Sequence, residues 1–241
     1  MLKLVVDAGT ACAAYHDARV RELTTRRVQV DEVWSFVHAK AKNVPLEKRG
    51  QFGFGDVWTW TGIDAESKVM IAWHVGTRDA DAAHTFMMDL ANRLTNRIQL
   101  TSDGHNAYLD AVAGAFGTMI DYAMLVKLYG TAPDAEKRYS PPICLGTHGT
   151  VIHGDPDPAH ISTSYVERSN LTIRMQNRRF TRLTNAFSKK LANHKHMLAI
   201  FFLYYNFGRI HQTLRVTPAM QAGISDHVWT LEEIAALADE N

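Results

Sequence analysis

Three acidic residues, each beside or within a regular element, could do chemistry together: Asp31 in VQVDEVWSF, Asp103 in LTSDGHNAY and Glu167 in TSYVERSNL. Hard divalent cations such as Mg²⁺ take carboxylate oxygens, and phosphoryl-transfer centres hold two of them on few protein ligands. Two aspartates carried on strands and a glutamate on a basic helix would meet that need. Neighbours on a strand point to opposite faces, so Asp31 and Glu32 are not expected to face one site together. Glu32 shares its face with Val30, Trp34 and Phe36, and Asp31 with Gln29, Val33 and Ser35. That pattern mildly favours Asp31.

Charge is distributed unevenly. Residues 167–215 hold ten Lys/Arg and one acid, whereas the other 192 residues hold sixteen Lys/Arg and twenty-four acids. A basic block on an acidic chain suggests a face for polyanions. With no acid between Arg168 and Arg215, helical pairing cannot neutralise Arg174, Arg178, Arg179, Arg182, Lys189 and Lys190, so phosphate contacts are expected of them. Asn170, one turn from Glu167, is placed to touch substrate, order water or serve as a cap.

The elements that must position these groups follow from pattern. Residues 1–26 form a helical lead-in. Strands are expected at 28–38, 56–64, 68–76, 98–101 and 122–128, with helices from Asp79 as cap to about Thr95 and from about Asn106 to Phe116. Five of the seven prolines and four glycines fall in 130–162, which therefore reads as an irregular insertion. Helix resumes at Ser164, where Glu167, Arg174 and Arg178 project within about 40° on a helical wheel. A last long helix, about Ala186 to Phe207, carries the stripe Phe187, Leu191, His194, Leu198, Phe201 and Tyr205, with His194 as a core histidine. Trp34, Trp58, Trp60 and Trp73 read as sheet packing. The resulting class is α/β: a mixed five-stranded sheet with helices on both faces and further helices at the C-terminus.

VDEVWSFV, GDVWTWTGID, LTSDGHNAYLDAV, DYAMLVKLYG, HISTSYVERSNLTIRMQNRRFTRLTNAFSKK and YYNFGRIHQTLRVTPAM, in this order, resemble the insertion-sequence-one family of bacterial DDE transposases. The resemblance implies a ribonuclease H-like catalytic domain over 27–215 and a C-terminal tail or helix over 216–241. It implies Asp31, Asp103 and Glu167 as the acids holding two Mg²⁺, for which Mn²⁺ can substitute. The activity implied is cleavage at transposon ends and transfer of the 3′-OH into target DNA, by a homodimer or higher assembly. Within YNFGRIHQTL, Asn206, Arg209 and His211 are expected to line the site, contact DNA or close a helix end. Members carry an N-terminal helix-turn-helix; this chain opens MLKLVVDAGTACAAYHD, which resembles the region after such a module, so end recognition is expected to be missing.

Other readings bound the function. A ribonuclease H-like nuclease or a truncated inactive remnant would keep the fold, and a non-catalytic DNA-binding protein would use only the basic helices. Cys144, His148, His153 and His160 match no structural zinc spacing. The two cysteines form no disulfide framework, and the longest apolar run, Met197 to Tyr205, is too short to span a bilayer. A cytoplasmic protein, nucleoid-associated when bound to DNA, is expected.

Overall fold

The computed structural model describes residues 2–130, 143–181 and 185–239. Its centre is a six-stranded mixed sheet built from β1 (Arg27–Val37), β2 (Gly55–Asp64), β3 (Met70–Gly76), β4 (Ile98–Ser102), β5 (Ile120–Gly130) and β6 (Ile143–His153). The strand order is β3-β2-β1-β4-β5-β6. β2 runs antiparallel to β1 and β3, β4 is parallel to β1 and β5, and β6 returns antiparallel to β5.

Two apolar layers show how the helices are distributed. Val28 and Val30 of β1 join a core with Phe86 and Leu90 of α2 (Ala80–Ala91) and Tyr108 and Val112 of α3 (Ala107–Phe116). Val33 and Val37 join the opposite core with Val166 and Ile173 of α4 (Ser164–Gln176) and Leu198 and Phe202 of α5 (Leu191–Leu203). The two-residue strand period thus gives β1 one apolar face for each helical layer. The N-terminal α1 (Leu2–Arg19) packs on α5, where Gly9 lets the backbones meet: a Cβ built there would lie 2.4 Å from His196 Cβ. Asp79 caps α2 by accepting from Ala82 N at 3.0 Å, as its sequence position suggests.

Three expectations need correction. The insertion expected over 130–162 contains β6, so the sheet has six strands rather than five; residues 131–142 lie outside the described residues. β6 is exposed along nearly its whole described length. A strand that buries neither face leaves no alternation to read. Secondly, α4 stops at Gln176, and Asn177 (φ −103°, ψ 103°) breaks the helix before a single 3₁₀ turn at Arg178–Phe180. Arg178 is therefore not on the helical face of Glu167 and Arg174. Thirdly, the last helix begins at Leu191 rather than near Ala186 and ends in a π-helical turn, Tyr204–Gly208. The C-terminal segment adds two short helices, α6 (Pro218–Gln221) and α7 (Leu231–Ala236), the latter opened by a Thr230–Glu233 capping box.

Candidate active site

Pairing between β1 and β4 ends at Gln29↔Thr101, so beyond that register the two strands part. Asp31 lies just past the split on β1, and Asp103 follows the end of β4. A cleft of about 760 Å³ opens there, lined by Asp31, Arg78, Asp103, His105, Lys127 and Glu167 among others. All three acids singled out by sequence therefore line one cavity.

Strand alternation around Asp31 holds, yet the conclusion drawn from it fails. Asp31 turns toward α4 and accepts from Asn170 Nδ2 at 2.9 Å. Glu32 turns toward α3 and accepts from Tyr108 Oη at 2.9 Å, while Arg78 Nε donates to its other oxygen at 2.6 Å. Nevertheless, one oxygen each from Asp31, Glu32 and Asp103 falls within 4.8 Å of the others. Beside the split, both side chains of β1 can reach its unpaired edge, and the longer glutamate closes the remaining gap. Glu32 belongs to the acidic centre, contrary to the expectation from alternation.

Glu167 stands on the wall of the cleft, outside that tight trio. Lys127 of β5 forms an ion pair with its Oε2, and Thr163 Oγ1 donates to its Oε1 at 2.6 Å. Gln29 fixes the position of α4 relative to β1, since its Oε1 accepts from Tyr165 N at 2.7 Å and Val166 N at 3.1 Å. Two first-turn amides that no helical carbonyl could reach are satisfied by the strand carrying Asp31.

The electrostatics follow from burial. Burial raises the Asp31 pKa to about 7, with the charges of Glu32 and Asp103 adding to it and the bonds from Glu32 N and Asn170 opposing. Glu32 is also raised, first by burial and then by Asp103, against the pull of Arg78 and Tyr108. Burial works against the Lys127 ammonium, but Glu167 outweighs it and raises its pKa. The centre thus has more negative charge than its protein partners neutralise, and its donors are all oxygens. That set fits a hard divalent cation rather than a soft one.

The other candidate residues divide. Asn170 is buried against Asp31 and Thr61, donating to the carboxylate of the first and accepting from the hydroxyl of the second. Asn206 is fully buried, and its amide both accepts from Met70 N and donates to Met70 O, at 2.8 and 3.0 Å; it ties the π-helical turn to β3 and has no surface for DNA. Arg179 is half-buried and donates to Ser188 Oγ at 3.1 Å. Ser188 in turn bonds His194, the fully buried histidine that burial and then Arg179 lower to about 4. Arg178, Lys189 and Lys190 are exposed and Arg174 is half-buried, while Arg182 lies outside the described residues. Arg209 and His211 line a second cavity away from the acids.

Sequence reasoning missed Glu32, Arg78, Lys127 and His105. Arg78 lies over Trp58, its Cζ 4.6 Å from the ring centroid, while holding Glu32. His105 stacks on the buried Trp60, and its buried Nε2 has no hydrogen-bond partner among the described residues. Only Asp103-Gly-His within one motif hinted at a further polar group here. No helix among the described residues is long and apolar enough to cross a membrane. No family model and no curated protein matches the chain.

Proposed function

We propose that this chain is the catalytic domain of a DDE transposase with a ribonuclease H-like fold, cutting and joining DNA strands with divalent cations. The observation that carries the reading is the convergence of Asp31, Asp103 and Glu167, from β1, the end of β4 and α4, on one cleft. The succession β1–β2–β3–α2–β4–α3–β5–β6–α4, with β6 intervening before the helix that bears Glu167, supports the fold assignment, and the basic segment after Glu167 supports DNA as the partner. Assembly as a dimer or larger complex follows from the need to hold two element ends.

Asp31, Asp103 and Glu167 would hold the ions. Bound there, Mg²⁺ or Mn²⁺ supplies an activated oxygen nucleophile and neutralises charge on the leaving oxygen. The protein's own groups prepare this arrangement. Asn170 fixes the Asp31 carboxylate, Lys127 balances Glu167, and Arg78 with Tyr108 keeps Glu32 oriented beside the two aspartates. Asp31 must lose its proton to act as a ligand, which its pKa of about 7 permits near neutrality.

The test is strand joining. Purified protein is given pre-cut DNA ends, taken from the repeats flanking its own gene, with a supercoiled plasmid and Mg²⁺ or Mn²⁺. Joined product is expected with the unaltered chain and none with Asp103→Asn. Joining by Asp103→Asn at the unaltered rate would refute the assignment of that residue.

A further inference from the structure

α4 separates two cavities of opposite character. Glu167 looks into the acidic cleft, and Arg168, about 100° further round the helix, lines a cavity of about 260 Å³ on the other flank. Lys68, Arg209 and His211 line it too, together with Tyr165 and Thr172, and no carboxylate does. These cations come from three separate places: the β2–β3 turn, α4 and the segment after the π-helical turn.

We infer that this cavity is a second nucleic-acid contact, holding a backbone phosphate of the strand that crosses α4 beside the acidic cleft. The inference rests on the reading of the chain as a DNA-processing protein, but not on the metal chemistry. Phosphate recognition needs forked guanidinium donors, a compact ammonium and hydroxyls converging on one point; Arg168, Arg209, Lys68, Tyr165 and Thr172 supply these types around one cavity.

The partners of these groups leave them available. Lys68 Nζ lies 3.1 Å from the Tyr165 ring centroid and donates to Ala65 O, which leaves further N–H directions on an ammonium that has three. Of the nearby acids, Asp64 accepts from Thr25, Ser67 and the Glu66 amide, and Glu66 pairs with Arg27 through Oε1, its buried Oε2 having no hydrogen-bond partner among the described residues. Arg209 donates only to the neutral Gln176, at 2.8 Å, and the Arg168 guanidinium makes no hydrogen bond or ion pair among the described residues. Burial lowers the pKa of Lys68, and burial followed by the charges of Lys68 and Arg209 lowers that of His211. The charges of Asp64 and Glu66 oppose the shift at Lys68, although no carboxylate lines the cavity itself.

Lys68 closes the turn between β2 and β3, its N–H donating to Asp64 O. Its φ of 63° lies in the left-handed region, where glycine or asparagine is the ordinary occupant of such a turn. From this turn Lys68 lines the cavity. Lys68→Gly should therefore keep the turn while removing the charge.

The experiment is a salt titration of binding to a short labelled duplex, read by fluorescence anisotropy in chelator so that no strand is cut. It compares the unaltered chain with Arg168→Ala, Lys68→Gly and Arg168→Lys. Removing a cation that neutralises one phosphate should lower the slope of log K against log salt by about 0.9. The expected result is that reduction for Arg168→Ala and for Lys68→Gly, and a slope near the original for Arg168→Lys. Unaltered slopes in both Arg168→Ala and Lys68→Gly would overturn the inference, whatever the joining assay shows. So would inorganic phosphate shifting the His211 ring resonances while duplex binding ignores these substitutions, since the cavity would then serve free phosphate only. A reduced slope without any metal-dependent joining would instead keep this phosphate site and remove the transposase reading.

Discussion

Asp31 is where the acidic centre stores its electrostatic cost. Its folded pKa of about 7 exceeds the ordinary 3.8, so between those values the folded chain keeps a proton that the unfolded chain has released. Folding stability should therefore fall as pH rises through that window and level off above it. One pKa unit corresponds to about 1.4 kcal/mol, so the effect is a few kcal/mol at most. In chelator, Asp31→Asn is expected to melt higher than the unaltered protein at about pH 8 and to keep only the part of this pH dependence that Glu32 contributes. Mg²⁺, which binds the ionised form, should raise the melting temperature of the unaltered chain more at about pH 8 than at pH 6. A flat melting profile in the unaltered protein would remove the strained carboxylate. Asn170 tests the same point from the other partner: Asn170→Ala deletes the amide donor at 2.9 Å and should cost roughly 1–3 kcal/mol in denaturant melts. It should also weaken Mg²⁺ binding, because Asp31 would be less well oriented.

At the scale of elements, legibility tracks burial. Strands β1 to β5 and helices α2 and α3 announce themselves because each buries a regular apolar face, and the Asp79 cap marks where α2 begins. β6 pairs with β5 but is largely exposed, so its residues have no reason to alternate. The acidic triad is visible through motif resemblance, yet Glu32 is not. Its place depends on where β4 leaves β1, a pairing between residues some seventy apart. Asn206 misleads for a related reason: a polar residue in a motif near basic ones looks surface-bound, whereas both ends of its amide are spent on Met70. Gly9 is silent in the sequence and decisive in packing. Alanine would improve the helix propensity of α1 by about 1 kcal/mol. Its Cβ would also fall 2.7 Å from His196 Cα and 2.8 Å from His196 O, atoms that only a shift of α5 can move. The clash should win, with Gly9→Ala destabilising by about 1–3 kcal/mol in thermal or urea melts; a stabilised variant would show that α1 and α5 are not so closely packed.

For the whole molecule, the sheet makes one acidic cleft and α4 stands as its wall, with the basic cavity on the far flank. A divalent cation is the agent that would convert the crowded carboxylates from a liability into a centre for chemistry. The most direct measurement is Mn²⁺ titration followed by electron paramagnetic resonance and calorimetry in two buffers of different ionisation enthalpy. The unaltered chain is expected to bind Mn²⁺ with release of a proton near pH 7. Asp31→Asn and Asp103→Asn should each lose the tighter ion, and Glu167→Gln should weaken a second. Mn²⁺ affinity and proton release left unchanged by all three substitutions would contradict the claim that these carboxylates form one metal-holding centre.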